Sequence, residues 1–236
     1  TLLKVTDTSL WALPRLLLLN DIDIRTDNLD TAIERFHAYV IDRPDNGYLL
    51  KELGDLYRRN EQYEQARDAY LQAIETGFDS AHLYRNLAIS HERLDEDEQA
   101  EIHFKAALAR DPDDPFTLNY LGYWWAESGR HLTQAIQLIE QAVRLRPDSG
   151  FFVDSLGWVH YQLGNYQLAV EFLEKATMLE PEDAVIIAHL GDAYWQTKRY
   201  SEAHYKWRYA AQITKDSALQ AELQNKLASG LSIAGQ

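Results

Sequence analysis

The chain has 236 residues and no cysteine, one methionine, and no apolar run long enough to cross a bilayer. Without cysteine there are no disulfides, no thiolate metal sites and no thiol nucleophile. A cysteine-free chain suits the cytoplasm and the bacterial periplasm equally. Basic residues are also scarce, with 23 Lys and Arg against 37 Asp and Glu and a net charge of −14. That balance argues against nucleic acid and anionic membrane as partners, because phosphate recognition needs clustered cations. The longest apolar stretch, Leu10 to Leu19, is broken by Pro14 and Arg15. It falls short of the ~20 residues a membrane helix needs and reads as a helix packed on its neighbour. The chain starts at Thr1 without an initiator Met or a signal peptide, as expected of a mature form or an excised fragment.

What is present points to a folded protein, with 46% hydrophobic and 25% charged residues. The charge is uneven. Residues 1–114 hold 24 acids and 13 bases, whereas residues 115–236 hold 13 acids, 10 bases and five of the six Trp. An acidic half is joined to an aromatic half.

The segment LGWVHYQLGNYQLA at 156–169 carries two glycines close together, which raises the question of a phosphate loop. Sliding it along the chain answers that question. Leu53-Gly54, Leu121-Gly122, Leu156-Gly157 and Leu190-Gly191 open similar segments, and Leu87-Ala88 fills the slot once. Small residues follow in register at Ala66, Ala100, Ala135, Ala169 and Ala203, then at Ala73, Ala107, Ala142, Ala176 and Ala210. Pro112, Pro147 and Pro181 close three copies, and the step is constant except in the third copy, which is longer by one. Apolar positions recur at helical spacing in two segments per copy, parted by a short polar turn. Gly157 and Ala169 are expected where two antiparallel helices approach most closely, with Leu156 and Leu173 beside them. Gly164 is expected in the turn. No Gly-Lys-Ser/Thr follows either glycine, so the phosphate-loop reading fails.

The pattern resembles the tetratricopeptide repeat (TPR), Trp-x2-Leu-Gly-x2-Tyr, then Ala-x3-Phe, then Pro within a period of about 34 residues. Five copies fit, at 47–80, 81–114, 115–149, 150–183 and 184–217. An N-terminal segment, 1–46, carries a degenerate copy that keeps Leu19, Ala32, Phe36 and Pro44 but has Asn20 and Asp23 in place of the Gly and the aromatic. The resemblance implies an all-α fold, a right-handed α-solenoid of tandem helix pairs, since each pair must stack on the next to bury its apolar face. Residues 218–236 read as a capping helix and tail. The extra residue near Gly129-Arg130-His131 should lengthen one inter-helix turn without breaking the stack.

In that family the first helix of each pair lines a groove through positions 2, 5, 6, 9, 12 and 13. The resemblance places Tyr48, Lys51, Asp55, Arg59, Arg85, Asn86 and Ile89 there in the acidic half. In the aromatic half it places Phe116, Asn119, Tyr120, Tyr123, Phe151, Asp154, Ser155, Trp158, Tyr161, Ala188, His189, Asp192 and Trp195. Exposed rings such as Phe116, Tyr120, Trp158 and Trp195 would mark protein recognition, with Asn119 holding a partner's backbone. The alternative is that these rings pack between adjacent helices and stiffen the stack. A clamp for acidic tails, another use of the family, needs basic residues where Phe116 and Tyr120 stand, and is rejected.

Catalytic and metal chemistry find little support. Asp154, Ser155 and His160 are the residue types of a hydrolase triad, but neighbours on a helix diverge by about 100° and no nucleophile elbow is present. His160 and His91 fall in core aromatic slots. His189, Asp192 and Asp154 lack a third strong ligand for a metal. The run Asp95 to Glu98 reads as a solvated turn. No catalytic residue, metal or cofactor is expected.

Three strings, LNYLGYWWAES, VDSLGWVHYQLGNYQLAVEFLEKA and HLGDAYWQTKRYSEAHYKW, are similar to C-terminal repeats of Gram-negative TPR lipoproteins. Some of those act as adaptors that deliver cell-wall hydrolases to carboxyl-terminal processing proteases. The resemblance implies a periplasmic, membrane-anchored adaptor, although this chain has no lipid-accepting Cys. The expectation is a non-enzymatic scaffold that holds a partner protein or peptide in an aromatic groove. The alternatives are a self-associating structural module and a cytoplasmic location.

Overall fold

A computed structural model describes residues 12–26 and 28–233, and every regular element among them is a helix. In chain order these are α1 (Ala12–Arg25), α2 (Leu29–Ile41), α3 (Gly47–Arg59), α4 (Tyr63–Glu75), α5 (Ala81–Arg93), α6 (Asp97–Arg110), α7 (Pro115–Glu127), α8 (Leu132–Leu145), α9 (Gly150–Gln162), α10 (Tyr166–Leu179), α11 (Ala184–Gln196), α12 (Tyr200–Ile213) and α13 (Ser217–Ile233). They form two compact units, one ending at Pro112 and one beginning at Asp113. No described helix is long and apolar enough to cross a membrane.

Local sequence sets where each pair begins and turns. Asn46, Ser80, Asp114 and Asp183 accept hydrogen bonds from backbone N–H groups in the first turns of α3, α5, α7 and α11. Each bond satisfies a donor that the helix cannot pair internally. The α9 start differs, because Ser149 makes no side-chain cap bond. Between the two helices of a pair the chain reverses through a Schellman turn. In the first, Gln62 N–H reaches Tyr57 O at 2.9 Å and Glu61 N–H reaches Arg58 O at 3.1 Å. The same two bonds recur after His91, Trp125, His160 and Tyr194. The residue at the turn's centre must take a positive φ. Gly164 does so at 76°, which confirms its place in a turn, whereas Glu61, Asp95 and Lys198 do so at 57°, 58° and 64°. The turn from Ser128 to His131 is one residue longer than the others and contains a second positive φ at His131, 49°. The inserted residue is thus confined to the turn.

The recurring alanines are the floor of each pair. All ten, from Ala66 to Ala210, have no exposed surface. Between them sit the buried Tyr70, Phe104, Ile139, Leu173 and Trp207, each worth roughly 1.5–3 kcal/mol of apolar burial. The close approach expected at Gly157 is present, but its partner is Leu173 rather than Ala169: a Cβ on Gly157 would lie 2.7 Å from Leu173 Cγ. Ala169 is buried one turn earlier on α10, and the longer Leu173 side chain is what reaches the gap.

In the first unit, Leu16 of α1 joins the core of α2–α5, and Leu13, Leu17 and Ile24 pack around it. The apolar run Leu10 to Leu19 is therefore helical from residue 12 onward and packs through Leu13, Leu16 and Leu17 while Leu18 stays exposed, and Ser9 to Trp11 lie outside the described residues. In the second unit, α13 packs on α12 and buries Leu223 fully, with Leu219 and Leu227 beside it. Asp216 caps its start by accepting from Ala218 N–H at 2.8 Å.

Candidate functional site: the shared face of three parallel helices

Within the second unit α7 lies beside α9, and α9 beside α11. Like positions meet along them. Phe116 stands edge-on to Phe152 at 5.6 Å near the helix starts, and Gln196 Nε2 donates to the Tyr161 hydroxyl at 3.3 Å near their ends. The three helices therefore run parallel. Residues 2, 6, 9 and 13 of each share one face, because steps of four and three residues return to the same side of a helix.

That face is read as four rows. The first, Phe116, Phe151 and Val185, is apolar yet 52%, 54% and 48% exposed. The last, Glu127, Gln162 and Gln196, is polar and exposed. The two middle rows, Tyr120–Ser155–His189 and Tyr123–Trp158–Asp192, are buried or half-buried. Side chains fill the middle of the face, and its two rims stay open.

The middle rows are tied together by specific contacts. His189 Nδ1–H donates to Asp154 Oδ1 at 2.9 Å, joining α11 to α9, since an ionised carboxylate only accepts. Trp158 stacks on His189 with centroids 4.0 Å apart and on Tyr161 at 4.8 Å. Tyr123 donates its hydroxyl to Glu127 at 2.9 Å. Burial, then the charges of Glu127 and Asp154, raise the Tyr123 pKa, so it stays a neutral donor. Two polar atoms here have no partner in the structure, Asn119 Oδ1 and Trp158 Nε1.

Of the four rings expected on the surface, the structure exposes Phe116 and leaves Tyr120, Trp158 and Trp195 half-buried, while Phe151, also expected in the groove, is exposed. Trp195 leans on Tyr200 at 4.6 Å and on Trp207 at 5.3 Å. An indole is large enough to span the gap to the next helix and is stabilised by filling it. Trp158 and Trp195 thus lean on neighbouring helices while staying half-buried.

Asp192 belongs to a packing device. Its carboxylate accepts from Trp207 Nε1 at 2.9 Å and from Lys226 Nζ of α13 at 2.8 Å. Trp207 in turn covers Gly191, where a Cβ would fall 2.5 Å from its ring. The same device occurs in the first unit. Tyr70 covers Gly54 and donates its hydroxyl to Asp55 at 2.6 Å, while Lys51 and Asn86 bond the same carboxylate at 2.8 and 2.7 Å. Burial pushes both carboxyls towards protonation. At Asp55 the Lys51 charge and the bonds from Lys51 and Tyr70 outweigh burial and hold the pKa low. At Asp192 burial prevails over Lys226 and Trp207, and the pKa is raised. Where the covering residue is aliphatic, as with Ile139 over Gly122 and Leu173 over Gly157, the position after the glycine is Tyr123 or Trp158 instead.

The residue types of a triad do not converge. Ser155 Oγ donates to Phe151 O at 3.0 Å, and His160 stacks on Phe172 at 5.4 Å. Among the described residues no three His, Asp or Glu are grouped to hold a metal.

Sequence reasoning missed Val185, Glu127, Gln162 and Gln196 as rim residues, although they follow from the same helix periodicity. It also missed Trp207 and Lys226. The interval from Asp192 to Trp207 equals that from Asp55 to Tyr70, and Lys226 lies one repeat step beyond Asp192. Beside this device a cleft of about 290 Å³ opens between Tyr161, Trp195, Gln196 and Lys226.

Paired helices, a packed middle and open rims define an all-α repeat scaffold. Family models of the tetratricopeptide repeat match residues 23–80, 51–115 and 160–204, more than half of the chain in total. The chain belongs to the tetratricopeptide-repeat family. It is 29% identical over 155 residues to the TPR repeat-containing protein PA4667 of Pseudomonas aeruginosa. That alignment covers 64% of this chain and 26% of the relative, so the chain spans about a quarter of that protein's length. In fold it is similar to the APC/C hetero-tetramer Cut9–Hcn1, with a TM-score of 0.79 at 19% identity, over 92% of this chain and 42% of that one. It is also similar to a tetratricopeptide repeat protein of Parabacteroides merdae, with a TM-score of 0.74 at 18% identity, over 93% and 86%. The fold class is that of the TPR solenoids.

Proposed function

We propose that the chain is a non-catalytic scaffold whose second unit holds a segment of a partner protein across the rims of α7, α9 and α11. The observation that supports it most is the row of Phe116, Phe151 and Val185, three large apolar side chains about half exposed on neighbouring helices. Solvated apolar side chains at like positions of neighbouring helices favour recognition over packing. More specifically, the scaffold is an adaptor of the bacterial envelope that presents substrates to a processing protease from the periplasmic side. The resemblance of the strings at 118–128, 153–176 and 189–207 to the C-terminal repeats of Gram-negative TPR lipoproteins supports that reading.

A photocrosslinking residue placed at 151 and at 162, one on each rim, tests the proposal in the source cell. The same partner should be captured from both positions and not from position 168, which is exposed on α10. A protease or its substrate among the captured proteins supports the adaptor role. Capture from position 168 alone overturns the choice of face.

Self-association is a second reading. Leu18 and Ile22, one turn apart on α1, are 62% and 47% exposed. Light scattering of the chain and of Leu18→Asp tests it, since a wild-type monomer at micromolar concentration removes the reading.

A further inference from the structure

Deepening the proposed scaffold role, and resting on it, we infer that the segment held by the second unit is basic as well as apolar, with an Arg or Lys side chain set a few residues from an apolar anchor. The first observation is one of charge. Helices α7, α9 and α11 together contain no Lys and no Arg, and their charged residues are Glu127, Asp154 and Asp192. The first helices of the other unit differ, with Lys51, Arg58 and Arg59 on α3 and Arg85 and Arg93 on α5. Of the cations near these helices in the second unit, Lys198 is exposed just past α11, and three others are engaged. Lys226 neutralises Asp192, and Arg146, which reaches the Phe116 ring at 6.0 Å, lies 3.8 Å from Asp148. Arg130, just past the end of α7, lies over the Trp124 ring at 4.5 Å. Asp154 keeps only His189, and Glu127 keeps only the neutral hydroxyl of Tyr123 among its described contacts.

The second observation is how these groups are laid out. The apolar row stands at the helix starts and the acceptor row of Glu127, Gln162 and Gln196 at their ends. Residues 2 and 13 of a helix are about 16 Å apart along the axis. An extended chain crosses that distance in about five residues. A segment lying along the helices therefore sets an apolar side chain on Phe116 or Phe151 and, about five residues on, a cation beside Glu127. An acidic segment would meet Glu127, the exposed acid of this face, with like charge, which disfavours it.

Three fluorescein-labelled dodecapeptides test this, with identical Leu and Phe positions and with Arg, Gln or Glu at the intervening sites. Binding to the whole chain is followed by fluorescence anisotropy at low salt, about 50 mM, and at high salt, about 500 mM, a range over which surface charges pass from weakly to strongly screened. The Arg peptide should bind at least tenfold more tightly than the Gln peptide at low salt and lose most of that margin at high salt. Glu127→Gln should narrow the margin, and Phe151→Ser should weaken both peptides, each variant keeping the wild-type circular dichroism. Equal binding of the Arg and Gln peptides, still sensitive to Phe151→Ser, overturns the basic partner and leaves the docking face intact. Binding indifferent to Phe151→Ser, or none at all, overturns both readings.

Discussion

The indole of Trp207 donates Nε1–H to Asp192 at 2.9 Å while its ring occupies the space that a Cβ on residue 191 would need. Gly191→Ala therefore forces ring and helix apart, and overpacking of this kind costs about 1–3 kcal/mol. The urea midpoint should fall accordingly, and an unchanged midpoint would show that α11 and α12 can separate freely.

Trp207→Phe keeps most of the ring and removes the donor. Asp192 then relies on Lys226 alone, which should cost roughly 1–2 kcal/mol. Lys226→Ala should act elsewhere, because that residue pins α13 to α11. Backbone amides of 217–229 should exchange faster in this variant while those of α9 do not. Uniform acceleration of both would show that α13 has no independent anchor.

Acid sensitivity has a named source in the first unit. His103 stacks on His91 at 5.0 Å, and burial, then the His91 charge, lower its pKa from 6.5 to about 4. The unfolded chain takes up this proton near pH 6.5 and the folded chain only near pH 4. The contribution to stability is thus complete above pH 6.5 and declines as pH falls towards about 4. His103→Phe keeps a ring there and should flatten this part of the stability profile, measured by urea titration at closely spaced pH values. The same slope in the variant would assign the effect to His82, whose pKa burial also lowers to about 4.

Two turns carry avoidable strain. Glu61 and Lys198 hold φ of 57° and 64°, a region that costs side-chain-bearing residues about 1–2 kcal/mol. Glu61→Gly and Lys198→Gly should each stabilise the chain by about 0.5–1 kcal/mol after the greater freedom of glycine in the unfolded state is subtracted. Gly164→Ala, at the matching position, should have the opposite sign. Thermal melts of the three variants suffice.

Exposure separates solvated from packed rings within the aromatic residues. Phe151→Ser at a 54% exposed position should change stability by no more than about 0.5 kcal/mol. Trp158→Ala removes stacks on both Tyr161 and His189 and should cost about 2 kcal/mol or more, below the ~3–5 kcal/mol of a fully buried ring. Chemical denaturation of both variants checks the order, and a reversal would mean that Phe151 belongs to the core.

The helix pairs were legible because glycine and alanine recur in register and tolerate almost nothing else where backbones meet, as at Gly157 under Leu173. The one-residue insertion near Gly129 was legible for the same reason, since it sets Ala135 one residue further from Leu121 than the alanine lies from the leucine in the other copies. The site was legible only as a face. Helix periodicity says that Trp158 and Phe151 point roughly the same way, yet their exposure depends on whether a neighbouring helix offers something to lean on. His189 does so for Trp158, from the first helix of the following pair. The role of Asp192 was hidden likewise, because its partners sit on two later helices.

The bond between Asp192 and Trp207, matched by that between Asp55 and Tyr70, means that a receptor surface on this scaffold is written from both sides of the wall. What the ninth residue of a first helix shows to solvent depends on what the second helix lays over the glycine behind it. An engineer who grafted an acid at Tyr123 would leave it above Ile139, which has no proton to give. Exchanging that residue together with its cover would make the paired position, rather than the single surface residue, the unit in which such faces can be rewritten.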